Sequence, residues 1–200
     1  YIDAAERYQS YVQFESPGRV LVLLPMNHIF SLVSSVFLPL LNGLSICILN
    51  SLNPKTILET IESEKISYLS SIPEILQMLA RVKKDTHDTE SLEVLISGGS
   101  YLSPENHDLI TSVFGVEVLV GYGLTETAPV TANLRNHGKK GTLGEFCRGL
   151  SGRIEKTADK DNGEISVQAS EVFFGYFRQP EETGEVFDGE WFLTGDTGYE

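Results

Sequence analysis

Short apolar runs alternate with stretches whose apolar residues recur every three or four positions through the first two thirds of the chain. The runs at 20–24, 45–49, 68–70, 93–96 and 116–120 have the length and β-branched content of strands buried on both faces. Between them Ile57, Leu58 and Ile61 share one helical face, as do Ile75, Leu76, Leu79 and Val82. Asn53-Pro54, Pro73 and Ser103-Pro104 supply helix starts, because proline's missing N–H matters least in a first turn. Helices over 30–41 and up to Phe114 complete the series, and Asp3 followed by Glu6 predicts an N-cap for a first helix ending near Gln13. Such alternation predicts an α/β fold, a mostly parallel sheet flanked by helices.

The texture changes after Asn136. Glycine and turn residues separate short apolar runs at 143–146, 152–156, 164–168, 172–176 and 191–193, which predicts a small antiparallel β-rich, barrel-like subdomain. The expected division is 1–136 for the α/β part and 137–200 for the β-rich part.

The apolar segment 29–49 approaches transmembrane length, but Ser31, Ser34, Ser35, Pro39, Asn42, Gly43 and Ser45 interrupt it. Asn42-Gly43 is a turn signal that divides it into a buried helix and a short buried strand. No transmembrane span is expected, and the first ten residues lack the apolar core of a signal peptide. At 200 residues and 41% hydrophobic the chain can fill a core, while a net charge of −13 argues against a nucleic-acid surface. Cys47 and Cys147 show no metal spacing with histidine and no disulfide framework, which fits a reducing, cytoplasmic setting.

The strand at 116–120 runs into Gly121-Tyr122-Gly123-Leu124-Thr125-Glu126-Thr127. Two glycines let the backbone turn and approach a ligand on either side of the Tyr122 ring. Thr125, Glu126 and Thr127 then bring two hydroxyls and a carboxylate to the end of a sheet strand, where open α/β sheets bind ligands. A nucleotide phosphate with its magnesium is one economical use of that set. Taken singly, Tyr122 could equally be a core tyrosine, Thr125 a turn cap and Glu126 a solvated carboxylate.

This segment resembles the core motif of the adenylate-forming (AMP-binding) enzymes, the superfamily of acyl-CoA synthetases, firefly luciferase and peptide-synthetase adenylation domains. Trp191-Phe192-Leu193-Thr194-Gly195-Asp196 resembles a second motif of that family, in the expected order. The resemblance implies that Tyr122, between Gly121 and Gly123, lines the adenine site and that Thr125 and Glu126 meet phosphate and Mg2+, with Glu126 as the metal ligand. It also implies that Asp196 holds the ribose hydroxyls, and that Gly98, Gly99 and Ser100 form the other wall of the adenine pocket. Tyr101 stands where the family commonly has proline. Pro25-Met26-Asn27-His28 resembles the segment in which His28 would border the acyl pocket and the pantetheine passage; a structural histidine is the plainer alternative.

The resemblance further implies an ATP-dependent ligase that activates a carboxylic acid, a fatty acid or a related one, as its adenylate. The acyl group then passes to a thiol, expected to be that of CoA. No aspartate stands between Leu24 and Phe37 to hold an amino group, which favours a plain acid. The alternatives are an adenylation domain loading an acyl carrier protein and a non-catalytic nucleotide- or acyl-binding module. The family's upstream phosphate loop and its C-terminal lysine domain find no match here, so the chain is expected to be an internal fragment of the large N-terminal domain, inactive by itself.

Overall fold

The computed structural model describes residues 1–14, 18–156 and 162–199. Helix α1 (Ile2–Val12) and strand β1 (Arg19–Val22) open the chain. A helical run follows as α2 (Ile29–Ser31), a π-helical stretch (Leu32–Phe37) and α3 (Leu38–Leu41). Then β2 (Ser45–Ile48), α4 (Pro54–Glu64), β3 (Tyr68–Ser71), α5 (Pro73–Val82), β4 (Val94–Ser97), α6 (Pro104–Phe114) and β5 (Val118–Leu124) alternate. Strands β6 (Ala128–Ala132) and β7 (Glu145–Phe146) return antiparallel, closing a seven-stranded sheet in the order β2-β1-β3-β4-β5-β6-β7. A second sheet is antiparallel throughout and contains β8 (Ser151–Lys156), β9 (Gly163–Gln168), then α7 (Pro180–Glu185), β10 (Phe187–Asp188) and β11 (Trp191–Gly198), ordered β10-β11-β9-β8.

Successive side chains of a strand point to opposite faces, so each central strand serves two cores. Leu21, Leu69, Leu95 and Val118 pack with Ile57, Leu58, Ile61, Leu76, Leu79 and Ile110 of α4, α5 and α6. Val20, Tyr68, Val94 and Leu119 face the other way, against Tyr8 and Tyr11 of α1 and Val33 of the π stretch. A third cluster, Val130, Leu150, Ile165, Val167 and Phe192, joins β6 to the second sheet. Helix starts follow the sequence signals: Asn53 Oδ1 accepts from the Lys55 and Thr56 amides, and Ser103 Oγ from the Asn106 amide.

Several local expectations are corrected. Asp3 is not an N-cap; Tyr1 precedes α1 and Asp3 lies in its first turn, where its charge complements the helix dipole. Segment 29–49 does split at Asn42-Gly43, but β2 is a half-exposed edge strand rather than a buried one, with Ile48 62% exposed. The helix before it loosens into π geometry because Pro39 has no N–H to continue the ladder, and the Leu38 amide reaches back to the Val33 carbonyl. Segment 172–176 is not a strand, and 143–146 contributes only its last two residues to one.

The largest correction lies in the central motif. Gly121, Tyr122 and Gly123 do not turn; they continue β5 to Leu124, and the turn comes at Thr125, Glu126 and Thr127. The reason is the antiparallel partner β6, which pairs Tyr122 with Thr131 and Leu124 with Ala128. A Cβ on Gly123 would lie 2.3 Å from the Ala128 carbonyl oxygen, so this glycine permits close strand approach.

Candidate functional site

Three elements converge at the carboxyl end of the parallel strands. Beyond β4 the backbone passes through Gly98 and Gly99, the latter at φ +83°, a conformation glycine adopts without strain. A Cβ on Gly98 would lie 2.9 Å from the Phe30 ring, so the missing side chain lets the helical segment after His28 press on this loop. Tyr122 and Gly123 of β5 form the facing wall. Between them lies a cleft of about 480 Å³, open mouth included, lined also by Tyr8, Ile29, Val33, Gly121 and Pro129. Open α/β sheets bind ligands at this end.

The second sheet reaches over this wall. Strand β11 irregularly shifts its pairing with β9 between Leu193 and Thr197, and Thr194-Gly195-Asp196 occupy the shift, with Gly195 at φ +75°. Asp196 accepts a hydrogen bond from the Tyr122 hydroxyl at 2.6 Å, between residues 74 positions apart. Burial, and after it the Asp196 carboxylate, holds the Tyr122 phenol well above its ordinary pKa. Tyr122 is therefore a neutral donor, and the exposed Asp196 keeps a second oxygen for other donors.

A second cavity, about 650 Å³ with its opening, adjoins the first through Ala128 and is lined by Thr125, Glu126, Ser170 and Phe173, among others. The Tyr176 hydroxyl donates to Glu126 Oε1 at 3.0 Å, and the Glu126 carbonyl accepts from the Phe173 amide at 2.8 Å. Burial and the neighbouring Glu126 carboxylate raise the Tyr176 phenol above its usual range, so it too stays a donor. Thr127 closes the turn, its hydroxyl accepting from the Leu124 amide at 3.3 Å and donating to the Ala128 carbonyl at 3.0 Å.

Of the residues singled out in the sequence, Gly98, Gly99, Gly121, Tyr122 and Gly123 line the first cleft and Asp196 meets Tyr122 above it. Thr125 and Glu126 line the adjoining cavity. Ser100 lines neither: its hydroxyl donates to the Glu74 carboxylate at 3.1 and 3.2 Å. His28 is the exposed N-cap of α2, and the two residues after it, Ile29 and Phe30, reach the cleft. Sequence reading assigned no ligand contact to Tyr8 or Tyr176. The one usable sequence signal for Tyr176 is the glycine beside it, Gly175, which in the structure takes φ +144°.

Nucleotide enzymes provide the comparison. The family described as AMP-binding enzyme matches residues 3–177. The probable 4-coumarate–CoA ligase 1 of Dictyostelium discoideum is 31% identical over 93% of this chain and 36% of its own length. The long-chain-fatty-acid–CoA ligase of Bacillus subtilis (strain 168) is 29% identical over 92% of this chain and 35% of its own length. The chain thus spans just over a third of these relatives. Among solved structures, ATP-bound MatB from Rhodopseudomonas palustris superposes with a TM-score of 0.87 at 28% identity, over 98% of this chain and 41% of that one. The anthranilate CoA ligase AuaEII in complex with anthranoyl-AMP reaches 0.90 at 21% identity, over 100% and 40%, a likeness of fold. The family match over residues 3–177, most of the chain, leads to one assignment: this chain belongs to the AMP-binding enzyme family of adenylate-forming enzymes.

Proposed function

We propose that the chain forms the adenosine- and acyl-facing walls of an ATP-dependent acid–thiol ligase. That ligase joins a carboxylic acid to the α-phosphate of ATP, releases pyrophosphate, and passes the acyl group from the adenylate to CoA. One observation carries the reading: Tyr122 and Asp196, from two different sheets, meet at 2.6 Å beside the Gly98-Gly99 cleft. An aromatic face and a carboxylate at that spacing suit an adenine and the vicinal hydroxyls of its ribose.

In this proposal adenine lies between Tyr122 and the Gly98-Gly99 backbone, Asp196 accepts from the ribose, and the acyl group enters the cleft toward Ile29 and Val33. Thr125 donates its hydroxyl to a phosphate oxygen. Glu126 fits Mg2+ by its chemistry, since one Oε accepts from Tyr176, the other remains a hard oxygen donor, and the residue lines the second cavity. Bound there with substrate phosphates, Mg2+ would neutralise charge on them. The protein's own share is positioning and exclusion of water, which dominate nucleotidyl and phosphoryl transfer. His28 borders the acyl entrance. CoA is preferred as acceptor because the similar proteins of Dictyostelium discoideum and Bacillus subtilis are CoA ligases. The free thiols of Cys47 and Cys147 accord with a cytoplasmic setting, and among the described residues no helix is long and apolar enough to cross a membrane.

The test is calorimetric titration of a non-hydrolysable acyl-sulfamoyl-adenosine into this chain, beside Tyr122→Ala and Asp196→Ala. Binding that both substitutions weaken at least tenfold, with each variant still folded, is the expected result. Undiminished affinity in both variants would remove the adenosine from this cleft.

A further inference from the structure

The cleft is lined by four hydroxyl-bearing side chains, and three of them have already committed their protons. Tyr122 donates to Asp196, Ser34 to the Phe30 carbonyl at 2.7 Å, and Thr131 to the Leu143 carbonyl at 2.7 Å. The fourth is Tyr8. Its side chain rises from the cleft-facing side of α1 and the residue is only 5% exposed. Its hydroxyl lies 3.2 Å from the place a Cβ on Gly121 would occupy, so the absence of a side chain there is what opens the hydroxyl to the cleft. Among the described residues no hydrogen-bond partner meets it.

The hydroxyl meets the cleft rather than the closed core, and a ligand that displaces water there without accepting from it leaves it unpaired, a cost of about 1–3 kcal/mol relative to a paired one. A phenylalanine would fill the same space without that cost. Burial also keeps the Tyr8 phenol protonated well past its ordinary range, so it presents an O–H donor at any physiological pH. The rest of the acyl-facing wall near it, Ile29, Phe30 and Val33, is apolar. One directional donor in an apolar cleft rejects a ligand that leaves it unpaired more strongly than an apolar wall rejects a change of size.

We propose that Tyr8 is a specificity-determining residue that selects acyl groups bearing an oxygen acceptor, a hydroxyl or carbonyl on the acyl chain or ring, over plain hydrocarbon acids of equal size. The proposal deepens the adenylate reading and rests on it for the orientation of the acyl group. The oxygen accepts from the Tyr8 O–H on the face of the cleft beneath Gly121. Tyr8 makes no covalent contribution.

The experiment uses this chain with two ligand sets. The first is acyl-sulfamoyl-adenosines carrying benzoyl, the three hydroxybenzoyl isomers, hexanoyl and ω-hydroxyhexanoyl groups; the second is the corresponding free acids. Each is titrated calorimetrically into the wild type and Tyr8→Phe, with melting temperature as the check on folding. At least one hydroxylated ligand is expected to bind the wild type about tenfold more tightly than its unsubstituted counterpart. Tyr8→Phe should abolish that preference by weakening the hydroxylated ligand alone. Equal binding of each pair in the wild type, or equal weakening of both members in Tyr8→Phe, overturns the role of Tyr8 while leaving the adenylate reading intact. A Tyr8-dependent preference among free acids, together with no binding of any acyl-sulfamoyl-adenosine, would support Tyr8 and overturn the adenylate reading. No binding in either set overturns both.

Discussion

At the scale of single residues, three tyrosines define the chemistry under and beside the cleft, and all are held neutral. Burial raises Tyr8, Tyr68 and Tyr122, with the Asp196 carboxylate adding to the effect at Tyr122. The unfolded chain ionises such phenols near pH ~10, whereas the folded chain keeps them protonated. Above that pH the folded state binds more protons than the unfolded one, so stability is fully present below pH ~10 and declines as pH rises beyond it. Urea unfolding at pH 8 and pH 11 should therefore give a lower midpoint at the higher pH. Tyr68→Phe should make that decline shallower, since Tyr68 is fully buried and its hydroxyl pairs at 2.8 Å with the neutral hydroxyl of Ser70. An unchanged slope in that variant would mean the phenol ionises without unfolding.

Among the elements, the β5–β6 hairpin decides most. Its two strands approach so closely at Gly123 that an added Cβ would meet the Ala128 carbonyl oxygen at 2.3 Å and the Pro129 Cα at 3.0 Å, both backbone atoms that cannot swing aside. Gly123→Ala is expected to cost roughly 2 kcal/mol or more in urea unfolding and to displace Tyr122. Gly184 in α7 is the contrast: a Cβ there meets nothing within 4 Å, and Gly184→Ala should stabilise by roughly 0.5 kcal/mol through helix propensity. The same hairpin shows where sequence reading ran out. Parallel strands such as β3 and β4 were legible because burial on both faces leaves an uninterrupted apolar run. Strand β6 was not: Ala128-Pro129-Val130-Thr131-Ala132 is short, contains proline, and owes its place to pairing on both sides. Likewise Thr194-Gly195-Asp196 was legible as a motif, but its inclusion in β11 depends on the β9 register, a tertiary fact. The motif residues were found by type and order; that Ser100 turns to Glu74 and away from the cleft could come only from the neighbouring helix.

For the whole molecule the question is how two sheets keep one site aligned, because Tyr122 belongs to the first and Asp196 to the second. Helix α1 bridges them. The Tyr11 hydroxyl accepts from the Arg148 amide at 3.0 Å, in the segment between the sheets, and Arg7 forms an ion pair with Glu171, just beyond β9. That pair is nearly buried, its side chains 10% and 5% exposed. Burial pushes the Glu171 carboxyl up, but the hydrogen bonds and charge of Arg7 outweigh it and leave the carboxyl below its usual range. In the wild type this contribution is present above pH ~4.3, the unfolded value, and is lost as pH falls through the lowered folded one. Arg7→Met leaves a buried carboxylate without its cation and should cost about 3 kcal/mol at pH 7, most of it recovered in the double variant with Glu171→Leu. With Arg7 gone, burial, the largest influence on Glu171, is opposed only by its own backbone amide and the Ser170 hydroxyl, and the Glu171 pKa rises, so the single variant should gain stability between pH 7 and pH 5, where the wild type does not. Urea midpoints at the two pH values decide it: parallel behaviour of wild type and Arg7→Met would mean the pair contributes no charge coupling. Because the ion pair anchors the second sheet, Arg7→Met should also weaken acyl-sulfamoyl-adenosine binding although Arg7 lines neither cavity, whereas Glu171 itself lines the second, so the double variant is read for stability alone.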